Sequence, residues 1–393
     1  MMKSDFAEKI GIAFVGCGYV ADLYQATLSN WTGLLDLKGV HDISLARQRQ
    51  FASHYGVPQY DSLDAILTDP NVQIVVNLTP PAQHYAISQK CLSAGRHVYS
   101  EKPLALDLPE AKHLVDLAQE KGLYVVSAPS SFLGPAGQTL YQAVRNREQG
   151  VPRLVYAEMD DGMVHRIGYE NWKTASGAYW PAENEFETGC TLEHAGYALT
   201  WLVGMFGPVR RMVSFASCLV ADKGPETPTN YTTPDFTAAC LEFDEGLVAR
   251  LTNSIVAPHD HQFRIMCDDG VLSVDETWDF SSPVRSIPLP TTRLQRGAKK
   301  LLGLDFGKRL QPEASREIST AKRGYPMDFA LGVAEMAMAL KSGTPPRLGG
   351  EFSLHITEVS LAIQHPEIFG AEYYPTSAPE KMEPMKVLEL SCS

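Results

Sequence analysis

The sequence lacks the features that would place a chain in a membrane, on nucleic acid or outside the cell. No apolar run approaches the ~20 residues of a membrane-spanning helix, and the first residues, MMKSDFAEK, contain no apolar signal-peptide core. Basic residues are outnumbered, 34 Lys and Arg against 46 Asp and Glu, and the net charge of −12 argues against non-specific nucleic-acid binding. We therefore expect a cytoplasmic protein with neither membrane nor nucleic-acid partners.

Cysteine is scarce and irregularly spaced. The chain has 7 cysteines, an odd number, and no C-x-x-C pair. A disulfide framework would need paired cysteines, and a structural zinc site would need closely spaced ligands. We expect free thiols in a reducing compartment and no metal site.

A glycine-rich turn follows a short apolar run at residues 10–15. The run predicts a buried parallel strand, and residues 16–21 (GCGYVA) then give the pattern G-x-G-x-x-A before a helix. Gly16 permits the tight turn, and Gly18 lets the backbone approach a pyrophosphate. The helix N-terminus favours the phosphate charge. The pattern predicts a dinucleotide-binding site.

The predicted second strand ends at Asp42, 21 residues beyond Ala21. A carboxylate at this place accepts hydrogen bonds from the ribose hydroxyls of an adenosine. No basic residue follows Asp42 before Arg47, so a 2′-phosphate would meet a negative charge with little to balance it. This favours NAD over NADP as the cofactor. The alternative is that Asp42 only caps the helix that begins near Ser44.

The hydrophobic pattern changes near residue 128. Strands alternate with helices before this point, whereas turn signals at residues 244–246 and 268–270 separate neighbouring strands after it. We predict an α/β Rossmann domain over residues 1–128 and an α+β domain with an open, mainly antiparallel sheet over residues 129–393. The strands predicted in the second domain are 153–161, 209–220, 235–243, 247–256, 262–268 and 271–275.

Two further segments carry a resemblance to a known family. Together with the glycine turn and Asp42, residues 79–84 (TPPAQH) and 94–103 (AGRHVYSEKP) resemble the glucose-fructose oxidoreductase/inositol dehydrogenase (Gfo/Idh/MocA) family. The resemblance implies NAD as cofactor, an active site between the two domains, and an open sheet covered by another subunit of a homodimer or homotetramer. It also implies that Lys102 contacts both the nicotinamide ribose and a carbohydrate substrate. The predicted cofactor-binding residues are Gly16, Gly18, Tyr19, Val20, Asp42, Thr79, Pro80, His84, Glu101 and Lys102.

The position of Lys102 is informative without the family. It follows the strand predicted at residues 97–100, and ligands bind at the carboxyl ends of strands in open α/β sheets. A lysine there can stabilise a developing alkoxide, while Glu101 can fix or polarise it. The alternative for Lys102 is a salt bridge at the surface. For His84, the simpler interpretation is a histidine at a helix start that bonds nearby backbone.

Residues 187–206 (ETGCTLEHAGYALTWLVGMF) predict one helix with an apolar stripe. Cys190, Glu193, His194 and Tyr197 stand at i, i+3, i+4 and i+7, so they share another face of such a helix. His194 can take a proton from a substrate hydroxyl, because an imidazole titrates near neutral pH.

The resemblance assigns roles within this helix. His194 falls on the family histidine, whereas Cys190 occupies the position of the family aspartate. Glu193 is a candidate replacement, although an α-helix turns it about 100° away from His194. Cys190 and His194 also have i, i+4 metal-ligand spacing, but no third ligand is in view.

Two other segments qualify as substrate contacts. Trp172 and Lys173 resemble a Trp-Arg pair of the family, so with Glu193 and Tyr197 they are candidate substrate-binding residues; Trp172 could equally be a core anchor. Residues 293–323 hold nine basic residues against three acidic ones. Such a stretch is a solvated arm or a subunit contact, or it supplies a cation for an anionic group of the substrate.

Three functions remain open on the sequence. The leading one is NAD-dependent oxidation of a secondary hydroxyl of a sugar, polyol or glycoside, anionic ones included, with Lys102 and His194 as catalytic residues. The alternative is a redox-assisted glycosidase that oxidises a hydroxyl, eliminates the glycoside substituent and reduces the ketone again. The third is an NAD-binding sensor without catalysis.

Overall fold

The computed structural model describes residues 8–302, 307–311 and 326–385. Its first sheet contains five parallel strands in the order β2-β1-β3-β4-β5. The strands form because short apolar runs are buried on both faces by helices. This confirms the predicted Rossmann arrangement. The strands are β1 (Ile10–Val15), β2 (Leu35–His41), β3 (Ile74–Asn77), β4 (His97–Ser100) and β5 (Val125–Ser127).

Helices connect these strands, and several start at a side-chain cap. Ser44, Ser62 and Asp107 each accept a hydrogen bond from a backbone N–H of the first helical turn, which is the usual N-cap geometry. The strand order reverses between β1 and β3, so a crevice opens at the carboxyl ends of these two strands. The helices are α1 (Tyr19–Leu28), α2 (Leu45–Tyr55), α3 (Leu63–Thr68), α4 (Pro81–Ser93) and α5 (Leu108–Glu120).

The second sheet has nine strands in the order β13-β12-β11-β10-β6-β9-β8-β7-β14. Only β6 and β9 pair in parallel; the other pairs are antiparallel. The predicted open, mainly antiparallel sheet is confirmed, and both turn signals join antiparallel neighbours. The strands are β6 (Pro152–Asp160), β7 (Arg211–Ser217), β8 (Phe236–Glu242), β9 (Val248–Ser254), β10 (Phe263–Cys267), β11 (Gly270–Val274), β12 (Val284–Pro288), β13 (Lys308–Leu310) and β14 (Glu372–Tyr373).

One face of this sheet packs on helices and the other does not. Ala157, Leu251 and Ile265 are buried against the helical layer, whereas Tyr156 and Phe215 stand on the opposite face and are partly or largely exposed. The alternation follows from the two-residue period of a strand. The helices are α6 (Pro135–Arg145), α7 (Ala182–Thr188), α8 (Gly196–Phe206), α9 (Arg293–Leu302), α10 (Leu331–Ser342), α11 (Gly350–Gln364) and α12 (Pro366–Phe369).

The single helix predicted over residues 187–206 is wrong. α7 ends at Thr188, Gly189 adopts φ +94°, and a π-helical turn at Thr191–Ala195 precedes α8. The amide of Gln364 causes part of this break, since its Nε2 donates to the Thr188 carbonyl and its Oε1 accepts from Leu192 N. A side chain from a distant helix thus satisfies the backbone groups that a continuous helix would have paired internally.

The C-terminal part of the chain returns to the first sheet. Trp31 Nε1 donates to Asp328 Oδ2 at 3.0 Å, and Ser127 N donates to Ser353 Oγ of α11 at 2.8 Å. α11 packs on α5 and β5 as well as on α8 and β7. The domain boundary at residue 128 stays a prediction. Within the described residues, no helix combines the length and apolar character needed to cross a membrane.

Candidate active site

The glycine turn after β1 has room for a ligand backbone group. Gly16 adopts φ +103°, and a Cβ there would lie 2.4 Å from the Leu78 carbonyl oxygen. Gly18 caps α1 without a side-chain hydrogen bond, and a Cβ on it would meet nothing within 4 Å. Tyr19 and Val20 open the helix. The turn therefore presents helix N–H groups to open space, which fits the pyrophosphate of a dinucleotide.

Asp42 lies directly after β2 and faces this turn. Its Oδ2 accepts from Cys17 N at 2.8 Å, and its Oδ1 accepts from Ser44 N at 2.7 Å. The carboxylate thus closes a short turn onto Ser44, which itself caps α2, and it retains lone pairs for a ribose hydroxyl. Arg47 also reaches the turn, since its Nη2 donates to the Cys17 carbonyl. The sequence argument did not anticipate a cation so near Asp42.

Thr79 and Pro80 border the same crevice at the end of β3. Thr79 Oγ1 donates to Asn77 Oδ1 at 2.6 Å. His84 is buried below them, with Nδ1 2.6 Å from the Pro103 carbonyl oxygen and Nε2 2.8 Å from the Thr79 carbonyl oxygen. The imidazole therefore joins the loops that follow β3 and β4, as the simpler interpretation expected. Through these two bonds it positions Thr79 and the backbone beside Lys102.

Glu101 fixes the start of the loop after β4. Tyr24 of α1 donates to Glu101 Oε1 at 2.6 Å, and Glu101 Oε2 accepts from the backbone N–H of Lys102 at 3.3 Å. Glu101 thus holds the main chain of Lys102, whereas the ammonium group points to another acid. The sequence predicted that Glu101 fixes or polarises Lys102, and in the structure Glu101 contacts the main chain of Lys102.

Lys102, directly after Glu101 in the loop that follows β4, forms an ion pair with Glu193 of the π-helical turn. Both side chains are largely buried, and Glu185 of α7 lies against them. Burial alone would lower the pKa of Lys102, but the carboxylates of Glu193 and Glu185 raise it well above its ordinary value. Burial and the Glu193 carboxylate raise the pKa of Glu185. The lysine therefore holds its proton more tightly than an ordinary lysine, and Glu185 holds its proton more tightly than an ordinary glutamate.

The π-helical turn explains why Glu193 and His194 serve one site. In an α-helix they would diverge by about 100°, but a π turn is wider and often marks a functional site. Here Glu193 pairs with Lys102, and His194 Nε2 lies 3.4 Å from Asp161 Oδ2. Burial, followed by the positive charges of Lys102 and His261, lowers the pKa of His194 well below its ordinary value. His194 is therefore a neutral imidazole that can accept a proton.

Asp161 was missed on the sequence and lies next to His194. It follows β6 directly, and burial raises its pKa to about 6 although His261 opposes the shift. The only sequence signal for Asp161 was its place at the end of a predicted strand. Several predicted strands end in an acidic residue, so this signal did not single it out. An acid that ionises near neutral pH beside a buried imidazole can stabilise the charge that the ring gains with a proton.

An aromatic wall completes this part of the site. Trp278 lies 4.6 Å from Tyr197 and 4.6 Å from His261, measured between ring centroids, and 6.1 Å from His194. Tyr197, a predicted substrate-binding residue, is therefore in the same cluster as His194, the predicted catalytic base. The sequence offered no signal for Trp278, because it follows β11 in an irregular segment.

Cys190 does not share the face of His194. It is buried in a cluster with Phe186, Tyr231 and Ile255, and its sulfur accepts from Asn253 Nδ2 at 3.3 Å. The prediction that Cys190, Glu193, His194 and Tyr197 form one helical face is therefore wrong, since the π-helical turn at Thr191–Ala195 lies between Cys190 and Tyr197 and changes the α-helical spacing. Glu193, rather than Cys190, supplies the group beside Lys102.

Trp172 and Lys173 lie in a segment that rests on the first domain. Trp172 packs edge-to-face on Trp180, with ring centroids 5.1 Å apart, and Lys173 Nζ lies 4.9 Å from the Tyr179 ring centroid. Ser176 in the same segment bonds both oxygens of Asp22 in α1. The segment is thus close to the dinucleotide turn. A substrate contact by either residue stays a prediction.

Part of the basic stretch 293–323 is structured. Arg293–Leu302 forms α9, with Leu294 86% exposed, and Lys308 pairs with Glu148 at 2.6 Å. Residues 316, 322 and 323 lie outside the described residues. Binding of an anionic substrate group by this stretch stays a prediction.

Family comparison identifies the class of protein as an oxidoreductase: the model of the oxidoreductase family GFO_IDH_MocA, with an NAD-binding Rossmann fold, matches residues 10–128. The C-terminal domain model of the same family matches residues 138–273. Together these matches cover more than half of the chain. The chain belongs to the Gfo/Idh/MocA family, and its cofactor is NAD.

Individual relatives match over shorter stretches. The chain is 30% identical over 135 residues to trans-1,2-dihydrobenzene-1,2-diol dehydrogenase of Macaca fuscata fuscata, covering 34% of this chain and 40% of that protein. It is 31% identical over 144 residues to UDP-N-acetylglucosamine 3-dehydrogenase of Acidithiobacillus ferrooxidans, covering 37% and 43%. The chain therefore spans about two fifths of the length of these curated relatives.

Solved structures are similar over nearly the whole chain. An NAD binding oxidoreductase from Klebsiella pneumoniae has a TM-score of 0.76 at 17% identity, covering 93% of this chain and 98% of that chain. The WlbA dehydrogenase from Bordetella pertussis, solved in complex with NADH and UDP-GlcNAcA, has a TM-score of 0.69 at 18% identity, covering 94% and 98%. At these identities the similarity establishes the fold.

Proposed function

We propose that this protein oxidises a secondary hydroxyl on a sugar, polyol or related ring, using NAD and the pair Lys102 and His194. The observation that carries the proposal is the ion pair of Lys102 with Glu193, which brings the lysine after β4 to the π-helical turn that also carries His194. The histidine lies beside Asp161. When bound, NAD would supply the acceptor for a hydride at nicotinamide C4, and the glycine turn, Asp42 and the Thr79–Pro80 loop would hold it.

Lys102 stabilises negative charge in this scheme. Its ammonium group has three donors, and the ion pair with Glu193 occupies one of them. The remaining donors can hold the substrate oxygen as its proton leaves. A fixed cation in a buried site favours a developing alkoxide without reorganisation.

His194 removes the proton from the same hydroxyl. Its pKa is held well below the ordinary value, so the ring is unprotonated at neutral pH and available as a base. Once protonated, it lies 3.4 Å from the Asp161 carboxylate, which stabilises the imidazolium. Asp161 thus has the role of a positioning residue behind the base.

The substrate class rests on the names of the relatives. One acts on trans-1,2-dihydrobenzene-1,2-diol and the other is a UDP-N-acetylglucosamine 3-dehydrogenase. Each name describes dehydrogenation of a hydroxylated six-membered ring. The aromatic wall formed by Trp278 and Tyr197 suits the apolar face of such a ring.

Absorbance at 340 nm tests the proposal. Purified protein is incubated with NAD and a panel of aldoses, inositols, UDP-linked sugars and cyclic trans-diols. We expect NADH in stoichiometric amounts with at least one member and an intact glycosidic bond. A panel that yields no NADH with any secondary alcohol would contradict the proposal and favour the sensor.

A second candidate is the redox-assisted glycosidase. The observation that favours it is the acid Asp161, whose pKa of about 6 allows it to donate a proton to a leaving group near neutral pH. Nitrophenyl glycosides distinguish the two functions. Release of nitrophenol that requires NAD but leaves no net NADH would establish the glycosidase and remove the dehydrogenase.

A further inference from the structure

Asp161 belongs to a second cluster of potential ligands at the edge of the active site. One ligand atom each from Asp161, His259 and His261 lies within 4.8 Å of the others. Asp161 follows β6, and the two histidines stand two residues apart in the segment before β10. The pairing of Asp160 with Asp260 brings these two segments together. We propose that Asp161, His259 and His261 form a zinc-binding site. The metal-ligand spacing of Cys190 and His194 gave no indication of it.

His261 has the arrangement of a metal-binding histidine. Its side chain is fully buried, and Nδ1 lies 2.9 Å from Glu276 Oε1. A bond from Nδ1–H to a carboxylate leaves the lone pair of Nε2 free for a metal, as in carboxylate–histidine–zinc sites. This Nε2 has no hydrogen-bond partner among the described residues, and Asp161 Oδ1 lies 3.7 Å away from it.

Glu276 orients both histidines. Its second oxygen, Oε2, lies 2.7 Å from His259 Nε2, and the two imidazole centroids are 4.1 Å apart. Its Oε1 also accepts from Trp278 N at 2.9 Å. One carboxylate thus contacts both histidines on the side away from the proposed ion.

The ligand set suits zinc. Two imidazoles and one carboxylate occur in zinc sites that keep a fourth position open for water or substrate. The second oxygen of Asp161 lies 3.4 Å from His194 Nε2, so the site borders the proposed base. An ion here would bind a second oxygen of a ligand held at His194. This inference concerns metal binding alone and stands whether or not the protein is a dehydrogenase.

Calorimetry with Zn²⁺ tests the site on the full chain after dialysis against EDTA. We expect one zinc per chain with a dissociation constant in the micromolar range or below. His261→Ala and His259→Gln should each weaken binding at least 100-fold. Glu276→Gln should weaken it 10- to 100-fold, as loss of an orienting carboxylate does. His54→Ala is the matched control, because His54 is exposed on α2, and should bind zinc like the unmodified protein.

His259→Gln keeps the test decisive if His261→Ala fails to fold, because His259 is exposed and its side chain is not part of the core. Zinc content measured by mass spectrometry after gel filtration gives an independent stoichiometry. Unchanged affinity in His259→Gln would place the ion elsewhere, for example on the exposed thiol of Cys240, and overturn the proposal. Absence of zinc binding by the unmodified protein would do the same and leave His261 as part of a hydrogen-bond network.

Discussion

The candidate site is built from residues that are far apart in the sequence, as the ion pair between Lys102 and Glu193 shows. Neither group would stay charged in a buried place without the other, because removal of one partner leaves an uncompensated charge. Lys102 comes from the loop after β4 and Glu193 from the π-helical turn. The pair therefore links the packing of these two segments to the charge of Lys102, on which the proposed catalysis depends.

The cofactor preference rests on Asp42. We predict that NAD binds more tightly than NADP, because the Asp42 carboxylate repels a 2′-phosphate, and that Asp42→Ala narrows the difference between their dissociation constants. Arg47 lies close enough to the turn to soften the discrimination, so Arg47→Ala in the same experiment should widen it. Isothermal calorimetry with both dinucleotides measures this. Equal affinities in the unmodified protein would refute the prediction.

Single residues also show what a sequence pattern can and cannot point to. Lys102 and His194 were predicted as site residues because each stands at a fixed offset from a motif or within a predicted helix, and their catalytic roles stay predictions. Asp161 and His261 were not, because no motif fixes their offset from Lys102 or His194 and the contact depends on how two loops fold together. Glu193 was judged from α-helical geometry, and the local π turn overrode that geometry.

Among the elements, the break at Gly189 decides the shape of the site. Its φ of +94° disfavours any other residue, and a Cβ would lie 2.7 Å from Thr233 Cγ2. We predict that Gly189→Ala lowers the free energy of unfolding by about 1–3 kcal/mol and also lowers kcat. Gly343→Ala is the control: Gly343 has φ +67° but nothing lies within 4 Å of a Cβ there. Urea unfolding should show a smaller loss for Gly343→Ala, and equal losses would contradict the account.

α11 carries a histidine that makes stability depend on pH. His355 is buried, Nε2 accepts from Val209 N at 2.9 Å, and burial lowers its pKa to about 4. The imidazole takes up a proton near pH 6.5 in the unfolded chain and near pH 4 in the folded chain. The contribution of His355 to the stability of the fold is therefore complete above pH 6.5 and is lost as the pH falls to 4.

We therefore predict that urea unfolding at pH 5 and pH 7 differs less in His355→Gln than in the unmodified protein. The difference between the free energies of unfolding at the two pH values should be about 2 kcal/mol smaller in the variant. This follows from a loss of roughly 1.4 kcal/mol for each pH unit below 6.5. The other buried histidines are present in both proteins and cancel. An identical pH dependence would show that His355 is not kept neutral by the fold.

The elements themselves were largely predictable where their hydrophobic period was clear. The strands β1, β2 and β4 of the first sheet and six strands of the second stand close to their predicted positions. The parallel pairing of β6 with β9 was not predictable. In the sheet β6 lies between β9 and β10, and both of these strands are far from β6 in the sequence. The short strand β14 has too few residues to show a period.

At the scale of the whole molecule, the uncovered face of the second sheet points to assembly. Phe215 is 60% exposed and Val213 is 42% exposed on β7, and Arg250 lies over the Tyr156 ring on the same face. We propose a homodimer or homotetramer built on this face, since an exposed apolar sheet favours a partner.

Light scattering coupled to gel filtration tests the assembly. We predict a dimer or tetramer at micromolar concentration, and Phe215→Asp should shift it toward monomer. Ile43→Asp is the control, because Ile43 is 98% exposed on the first domain, and it should leave the mass unchanged. A monomeric unmodified protein would contradict the prediction.

The central claim is that Lys102 and His194 act in the transition state of hydride transfer, and kinetics of three variants test it most directly. With a substrate from the panel, the rate of NADH formation at 340 nm is followed under saturating NAD. His194→Ala should lower kcat by about 10²- to 10⁴-fold with little change in KM or NAD affinity. Lys102→Met should be at least as damaging, because it removes the charge next to the oxyanion.

Cys190→Ala is the matched control for this measurement, because Cys190 stands four residues before His194 but packs in the aromatic cluster. Its kcat should stay close to that of the unmodified enzyme. Circular dichroism confirms that each variant is folded. A folded His194→Ala enzyme that retains more than about a tenth of the original kcat would contradict the account and make Glu193, Asp161 or Tyr197 the base to examine.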